Sequence, residues 1–124
     1  MSYAVSEVVT VTTDAGGDAT AYTAARHTGM INCIRFTDTD LDNGADFTIT
    51  TEDTGQNVWV ESNVTTTKTV APRQATHDTA GLASLYAAAG EPVETGIYCC
   101  NERIKFVVAQ GGNVKTGTFR VVIT

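Results

Sequence analysis

The stretch that most constrains this chain is Arg103-Ile-Lys-Phe-Val-Val-Ala-Gln-Gly-Gly-Asn-Val-Lys-Thr-Gly-Thr-Phe-Arg-Val-Val-Ile-Thr124. Its apolar residues recur with a period of two. Ile104, Phe106 and Val108 fall on one side, with Arg103, Lys105 and Val107 on the other. Beyond Gly111-Gly112, Phe119, Val121 and Ile123 share a side opposed by Thr118, Arg120 and Val122. Period two is the signature of a strand with one buried face, because successive side chains point to opposite faces of a sheet. The glycine pair predicts a tight hairpin turn, since two-residue turns need positive φ, which glycine reaches without a Cβ clash. The stretch therefore reads as a half-buried antiparallel ribbon, and it contains nothing reactive.

The rest of the composition agrees with an all-β chain. At 124 residues it is long enough to bury a core, and one domain, 1–124, is expected. Only 18% of the residues are charged, and much of the remainder is Thr, Val, Ala and Gly, which suit pleated surfaces and turns. The formal net charge of −6, with eight scattered Lys and Arg, opposes a phosphate backbone and an anionic membrane, so neither nucleic acid nor membrane is an expected partner. Met1-Ser-Tyr-Ala-Val-Ser-Glu7 lacks the basic start and apolar run of a secretion signal, so synthesis in the cytosol is expected. Cys33, Cys99 and Cys100 are odd in number and lack paired C-x-x-C spacing. Reduced, buried thiols are expected, with no disulfide framework or zinc site.

Along the chain, Ala4–Thr13 alternates apart from a slip at Glu7-Val8 that reads as a bulge, and Asp14-Ala-Gly-Gly-Asp18 reads as a hairpin turn into a strand over Ala19–Arg26. Further strands are expected over Met30–Thr37, Asp46–Glu52, Asn57–Val64 and Gly96–Cys100. Thr65–Val70 reads as an exposed or interface strand ended by Pro72, which cannot donate to a ladder. Between Asp78 and Gly90 the period changes: Leu82, Leu85, Tyr86 and Ala89 form the stripe of an amphipathic helix, with Asp78 or Thr79 as its cap. The fold expected is an antiparallel β-sandwich or jelly-roll-like barrel of about eight strands with one short helix near residues 79–89.

Candidate chemistry is sparse. The acidic loop Asp38-Thr-Asp-Leu-Asp-Asn-Gly-Ala-Asp46 spaces carboxylates as a hard cation requires. The EF-hand pattern asks for Gly and Glu where this loop has Asn43 and Ile49, so a solvated loop is the simpler expectation. His27 and His77 stand in no nucleophile context, and a loop position and a helix cap account for them. Glu52 with Asp53, or Glu91 with Glu94, are conceivable acid/base pairs, but each lies at a turn where charge is ordinary. Trp59, Tyr86 and Tyr98 are the rings that a sugar-binding face would use. Asn63-Val-Thr65 matches the glycosylation sequon and reads as chance in a chain made in the cytosol. No catalytic, cofactor or metal residue is assigned, and a non-enzymatic protein is expected.

The C-terminal ribbon, together with Thr12-Thr-Asp-Ala-Gly-Gly-Asp-Ala-Thr-Ala-Tyr22, Asp46-Phe-Thr-Ile-Thr50, Pro72-Arg-Gln-Ala-Thr-His-Asp78 and Leu85-Tyr-Ala-Ala88, resembles small structural, head-decoration-like proteins of tailed bacteriophages and prophages. Cys99-Cys100 is no feature of that family. The resemblance implies a virion protein assembled in the host cytoplasm, most simply a homotrimeric cement protein on the outside of the capsid, with the major capsid protein as partner. A neck, tail or fibre module, glycan-binding in one form, is the alternative it implies. Thr65–Val70 and the arm Met1–Ala4 are the expected contact segments.

Overall fold

The computed structural model describes residues 4–124, so Met1–Tyr3 of the expected contact arm lie outside the described residues. Ten strands form: β1 (Val5–Thr12), β2 (Ala19–Tyr22), β3 (His27–Asp38), β4 (Ala45–Thr51), β5 (Asn57–Val64), β6 (Lys68–Val70), β7 (Arg73–Ala75), β8 (Glu94–Glu102), β9 (Ile104–Ala109) and β10 (Thr116–Ile123). They make two antiparallel sheets. The larger has the order β1-β10-β3-β8-β7, with β6 also on β3, and the smaller has the order β2-β9-β4-β5. Both sheets end in edge strands, so the fold is not a closed barrel. The inward residues of both contribute to one core, centred on Phe36 and Phe119 from the larger sheet and Phe47, Trp59 and Phe106 from the smaller.

The C-terminal ribbon has the expected faces but not the expected pairing. Ile104, Phe106 and Val108 are buried, as are Phe119, Val121 and Ile123. Yet β9 pairs with β2 and β4, whereas β10 pairs with β1 and β3. The connection is an arch from one sheet to the other, which turns the two apolar faces toward each other across the core. The Phe106 and Phe119 rings lie 5.0 Å apart between centroids. The turn Asp14–Asp18 is likewise an arch, because β1 and β2 belong to different sheets.

The two arches are stitched together. Thr13 N–H donates to Lys115 O at 2.8 Å, and Thr13 Oγ1 donates to Gly112 O at 2.6 Å. Gly111 N–H donates to Gly17 O at 2.9 Å. Close approach is what the glycine pair supplies. A Cβ at Gly112, where φ is +96°, would sit 2.5 Å from an Asp42 carboxylate oxygen, and one at Gly111 would sit 2.7 Å from Thr13 Cγ2.

Two further expectations are corrected. No bulge interrupts β1, whose register with β10 runs unbroken from Val5↔Ile123 to Thr12↔Thr116. Glu7 is simply the inward residue in phase with Val9 and Val11. The bulges lie elsewhere, as in the β4–β5 ladder between Ile49 and Thr50, where both Val58 and Trp59 become buried.

The expected helix near residues 79–89 does not form, and the described residues contain no helix. The chain between β7 and β8 is an arm of tight turns. Thr76 N–H donates to Val93 O at 2.7 Å, so both ends of the arm are held at one point. A helix over the expected span would carry its ends about 16 Å apart. Asp78 Oδ1 instead accepts from Ala80 N–H and Leu82 N–H, closing a turn that competes with helix. Gly81 follows at φ +79°. The apolar stripe also has no core beneath it, and a short helix without packing is marginal in water.

Candidate functional surface

Several polar groups that could do chemistry are occupied in holding strand ends. Glu102 ends β8 and is fully buried. Its carboxylate accepts from Asp53 N–H (2.8 Å), Thr54 N–H (2.9 Å), Thr54 Oγ1 (3.0 Å) and Cys100 N–H (3.1 Å). Burial by itself would raise its pKa, but the bonds from Thr54, Cys100 and Asp53 outweigh that and hold it below the ordinary carboxylate value. With its oxygens saturated it pins the β4–β5 turn and has no free lone pair with which to act as a base. No motif marked Glu102 in advance. The signal was the phase of β9: with Ile104 and Phe106 inward, a step of two residues back places Glu102 inward as well.

Glu52 and Asp53, read above as ordinary turn charges, take different partners. Arg103 donates to Glu52 through Nε (2.7 Å) and Nη2 (2.5 Å), a bidentate pair that lowers the Glu52 pKa and raises that of Arg103. The same guanidinium lies 4.3 Å from the Tyr22 ring centroid. Asp53 pairs instead with Arg26 at 2.5 Å. Glu91 and Glu94 are exposed on the arm and at its base. His27 is buried at the start of β3 and faces Glu7 Oε1 at 3.0 Å, while the Glu7 carboxylate also takes Ala24 N–H. His77 lies in the arm, in an isolated bridge to Ala83.

The acidic loop does not gather its carboxylates. Asp40 Oδ1 accepts Thr116 N–H, whereas Asp46 accepts Asn63 N–H and the Gln110 amide. Asp38 Oδ1 is buried without a hydrogen-bond partner among the described residues. Among the described residues no three His, Cys, Asp or Glu side chains stand together as a metal set.

Adjacent Cys99 and Cys100 do face opposite ways. Cys99 is buried and its pKa is pushed up to about 11, chiefly by desolvation and then by the Glu102 charge. Cys100 is exposed and Cys33 is half-buried, so burial holds fully for one of the three thiols only.

Trp59, Tyr86 and Tyr98 do not share a face. Trp59 packs in the core 5.3 Å from Phe47 and donates from Nε1 to Glu61, while Tyr98 is exposed on β8 and Tyr86 on the arm. A shallow groove of about 290 Å³ runs between Met30, Asn32, Pro72, Arg73 and Glu94. It contains no buried charged group.

Of the nine large apolar side chains exposed among the described residues, three lie on the arm. Tyr86 is 76%, Leu82 66% and Leu85 43% exposed, and no charged side chain occurs from Thr79 to Gly90. Large apolar side chains presented together on a fixed base characterise a contact surface. The base is fixed by the short β7–β8 ladder and by Ser84, which donates to Thr76 O and accepts from Val93 N–H, both at 2.8 Å. Within Thr65–Val70, read as an exposed or interface strand, Lys68–Val70 forms β6 on the edge of β3.

The fold defines an all-β domain of two antiparallel sheets. Comparison with protein-family models, with curated proteins and with solved structures found no match to the chain.

Proposed function

We infer that this chain is a structural protein of a bacteriophage virion, a sandwich-type head-decoration subunit that binds the outside of the capsid lattice and stabilises it. The observation that carries this is the arm between β7 and β8, which offers Leu82, Leu85 and Tyr86 to solvent from a hydrogen-bonded base. Pro72–Asp78 and Leu85–Ala88, two of the stretches that resemble phage proteins, lie in β7 and this arm. A decoration subunit acts by burying area on a partner, and a stable contact needs roughly 800 Å² on each side. The arm supplies an apolar centre for such a contact, and the net charge of −6 suits a surface facing away from packaged DNA. The major capsid protein is the partner in this scheme, with self-association as a homotrimer and assembly in the host cytoplasm. A neck, tail or fibre position gains no observation of its own, and its sugar-binding form loses Trp59 to the core.

Two measurements test this. Quantitative mass spectrometry of purified virions should find a copy number comparable to that of the capsid protein; a few copies, as at a unique vertex, would refute a cement role. The double variant Leu82→Ser/Tyr86→Ser should melt like the parent yet no longer sediment with capsids that lack the protein. Undiminished co-sedimentation would remove the arm from the contact.

A further inference from the structure

The two sheets have five edge strands, and four carry features that block further pairing. In the smaller sheet β2 has only four residues. β5 has eight, but its ladder shifts register twice, Asn63 near its end has positive φ, and Glu61 is tied to Lys68. In the larger sheet β7 has three residues, and so does β6, which carries Lys68. Short strands, bulges and charges are the usual means by which an edge is kept from recruiting another strand.

β1 is neither short nor bulged, and it places no charge in its outward row. It is eight residues long, pairs with β10 without a register shift and contains no Pro, Lys or Arg. Its one charged residue, Glu7, turns inward to His27 and Ala24. The outward row is Ser6, Val8, Thr10 and Thr12, all exposed, with Val8 at 59%.

The backbone of that edge is unspent. Thr13 N–H donates to Lys115 O, so the alternation of an antiparallel ladder turns the odd residues of β1 toward β10 and the N–H and C=O of Ser6, Val8, Thr10 and Thr12 away from it. Among the described residues none of these groups has a hydrogen-bond partner.

We propose that β1 is an assembly edge that pairs with β1 of a second copy, antiparallel about a two-fold axis at Val9. In that register Ser6 lies opposite Thr12 and Val8 opposite Thr10, so every outward N–H and C=O finds a partner, roughly eight ladder bonds in all. A second copy is the occupant that this edge fits. The row is self-complementary in this one register, because shifting the axis to Val8 or Thr10 strands groups at an end. It is also neutral, which matters for two chains that each carry −6. The two Glu7 side chains are held about 13 Å apart along the seam, beyond the screening length at physiological salt. On the outer face Val8 meets Thr10, a pair of β-branched residues suited to cross-strand packing. Such a seam doubles whatever unit the arm or any other surface builds: a monomer becomes a dimer and a trimer becomes a hexamer. It does not depend on the decoration role, since a failed capsid test leaves the solution mass unaffected.

Light scattering on the purified full chain, over a hundredfold range of concentration, tests the seam. The parent should show an even multiple of the 13.1 kDa chain mass. Val8→Lys, which places a charge in the row, and Thr10→Pro, which removes one outward N–H but no bond to β10, should each halve that mass with a cooperative melt retained. Val60→Lys, on the bulged edge β5, should leave the mass unchanged. A parent that is monomeric at every concentration, an odd-numbered parent, or a mass unaltered in both β1 variants overturns the proposal.

Discussion

Phe119→Ala is the most informative perturbation of this core, because Phe119 is where the two sheets meet. The ring belongs to β10 and is fully buried. It lies 5.2 Å from Phe36 in its own sheet, and 5.0, 5.0 and 6.2 Å from Phe47, Phe106 and Trp59 of the other, centroid to centroid. Truncating a buried Phe to Ala costs about 3–5 kcal/mol through lost transfer energy and the cavity left behind. Aromatic pairs contribute about 0.5–1.5 kcal/mol beyond burial, and four rings converge here, so the upper part of that range, about 4–5 kcal/mol, is expected. A domain of this size unfolds with an entropy near 0.26 kcal/mol per degree, so Tm should fall by about 15–20 °C. The assay is urea unfolding followed by Trp59 fluorescence, with the midpoint reduced and the slope unchanged. A double-mutant cycle of Phe106→Leu and Phe119→Leu then tests the arch itself. Rings facing across the core should couple by about 0.5–1 kcal/mol. A loss below about 1 kcal/mol in Phe119→Ala, or additivity within the error of the cycle, would refute this placement of the two strands.

Three further outcomes are expected. Glu102 has a folded pKa below its ordinary value of 4.5, so its contribution is present above pH 4.5 and is lost as pH falls through the folded pKa. Glu102→Gln should lower stability by about 1–3 kcal/mol at pH 7 and flatten the acid limb of a stability–pH curve. An acid limb identical to that of the parent would show that Glu102 does not carry that proton linkage. Gly112→Ala should cost about 1–3 kcal/mol, since it adds a Cβ against Asp42 at φ +96°. Gly55→Ala, at φ +71° but in open space, should cost about 1 kcal/mol by unfolding titration, and equal losses would mean that the close approach of Gly112 to Asp42 adds nothing. Iodoacetamide should label Cys100 in the native protein and Cys99 only after denaturation, as read by peptide mass spectrometry. Native labelling of Cys99 would contradict its burial.

Much of the local structure is legible from residue order alone, since alternation needs only the geometry of one strand. The inward faces of β9 and β10, the strand Asn57–Val64 and the stop after Val70 all follow from period and turn residues. Where local pattern failed, a distant partner decided. The helical stripe from Leu82 to Ala89 is present in the sequence, but the Thr76–Val93 closure set by the β7–β8 ladder leaves no straight path for a helix. The Glu7-Val8 irregularity resembles a bulge until β10 shows an unbroken register and His27 shows why an acid faces inward there. The surface was the least legible part. Trp59 and Tyr86 are equally aromatic in sequence, and only the fold buries one and exposes the other.

The closing ribbon divides what each level determines. Its sequence set which side chains turn inward, because side-chain direction is a property of the single strand. Whether the two strands would pair with each other was open, because backbone N–H donors and C=O acceptors pair with any strand in register. The six residues Gln110–Lys115, three of them at positive φ, carry the chain into the opposite sheet, where β2 and β4 claim β9 while β1 and β3 claim β10. Tertiary structure made that choice, since only an arch sets Phe106 and Phe119 face to face and buries both.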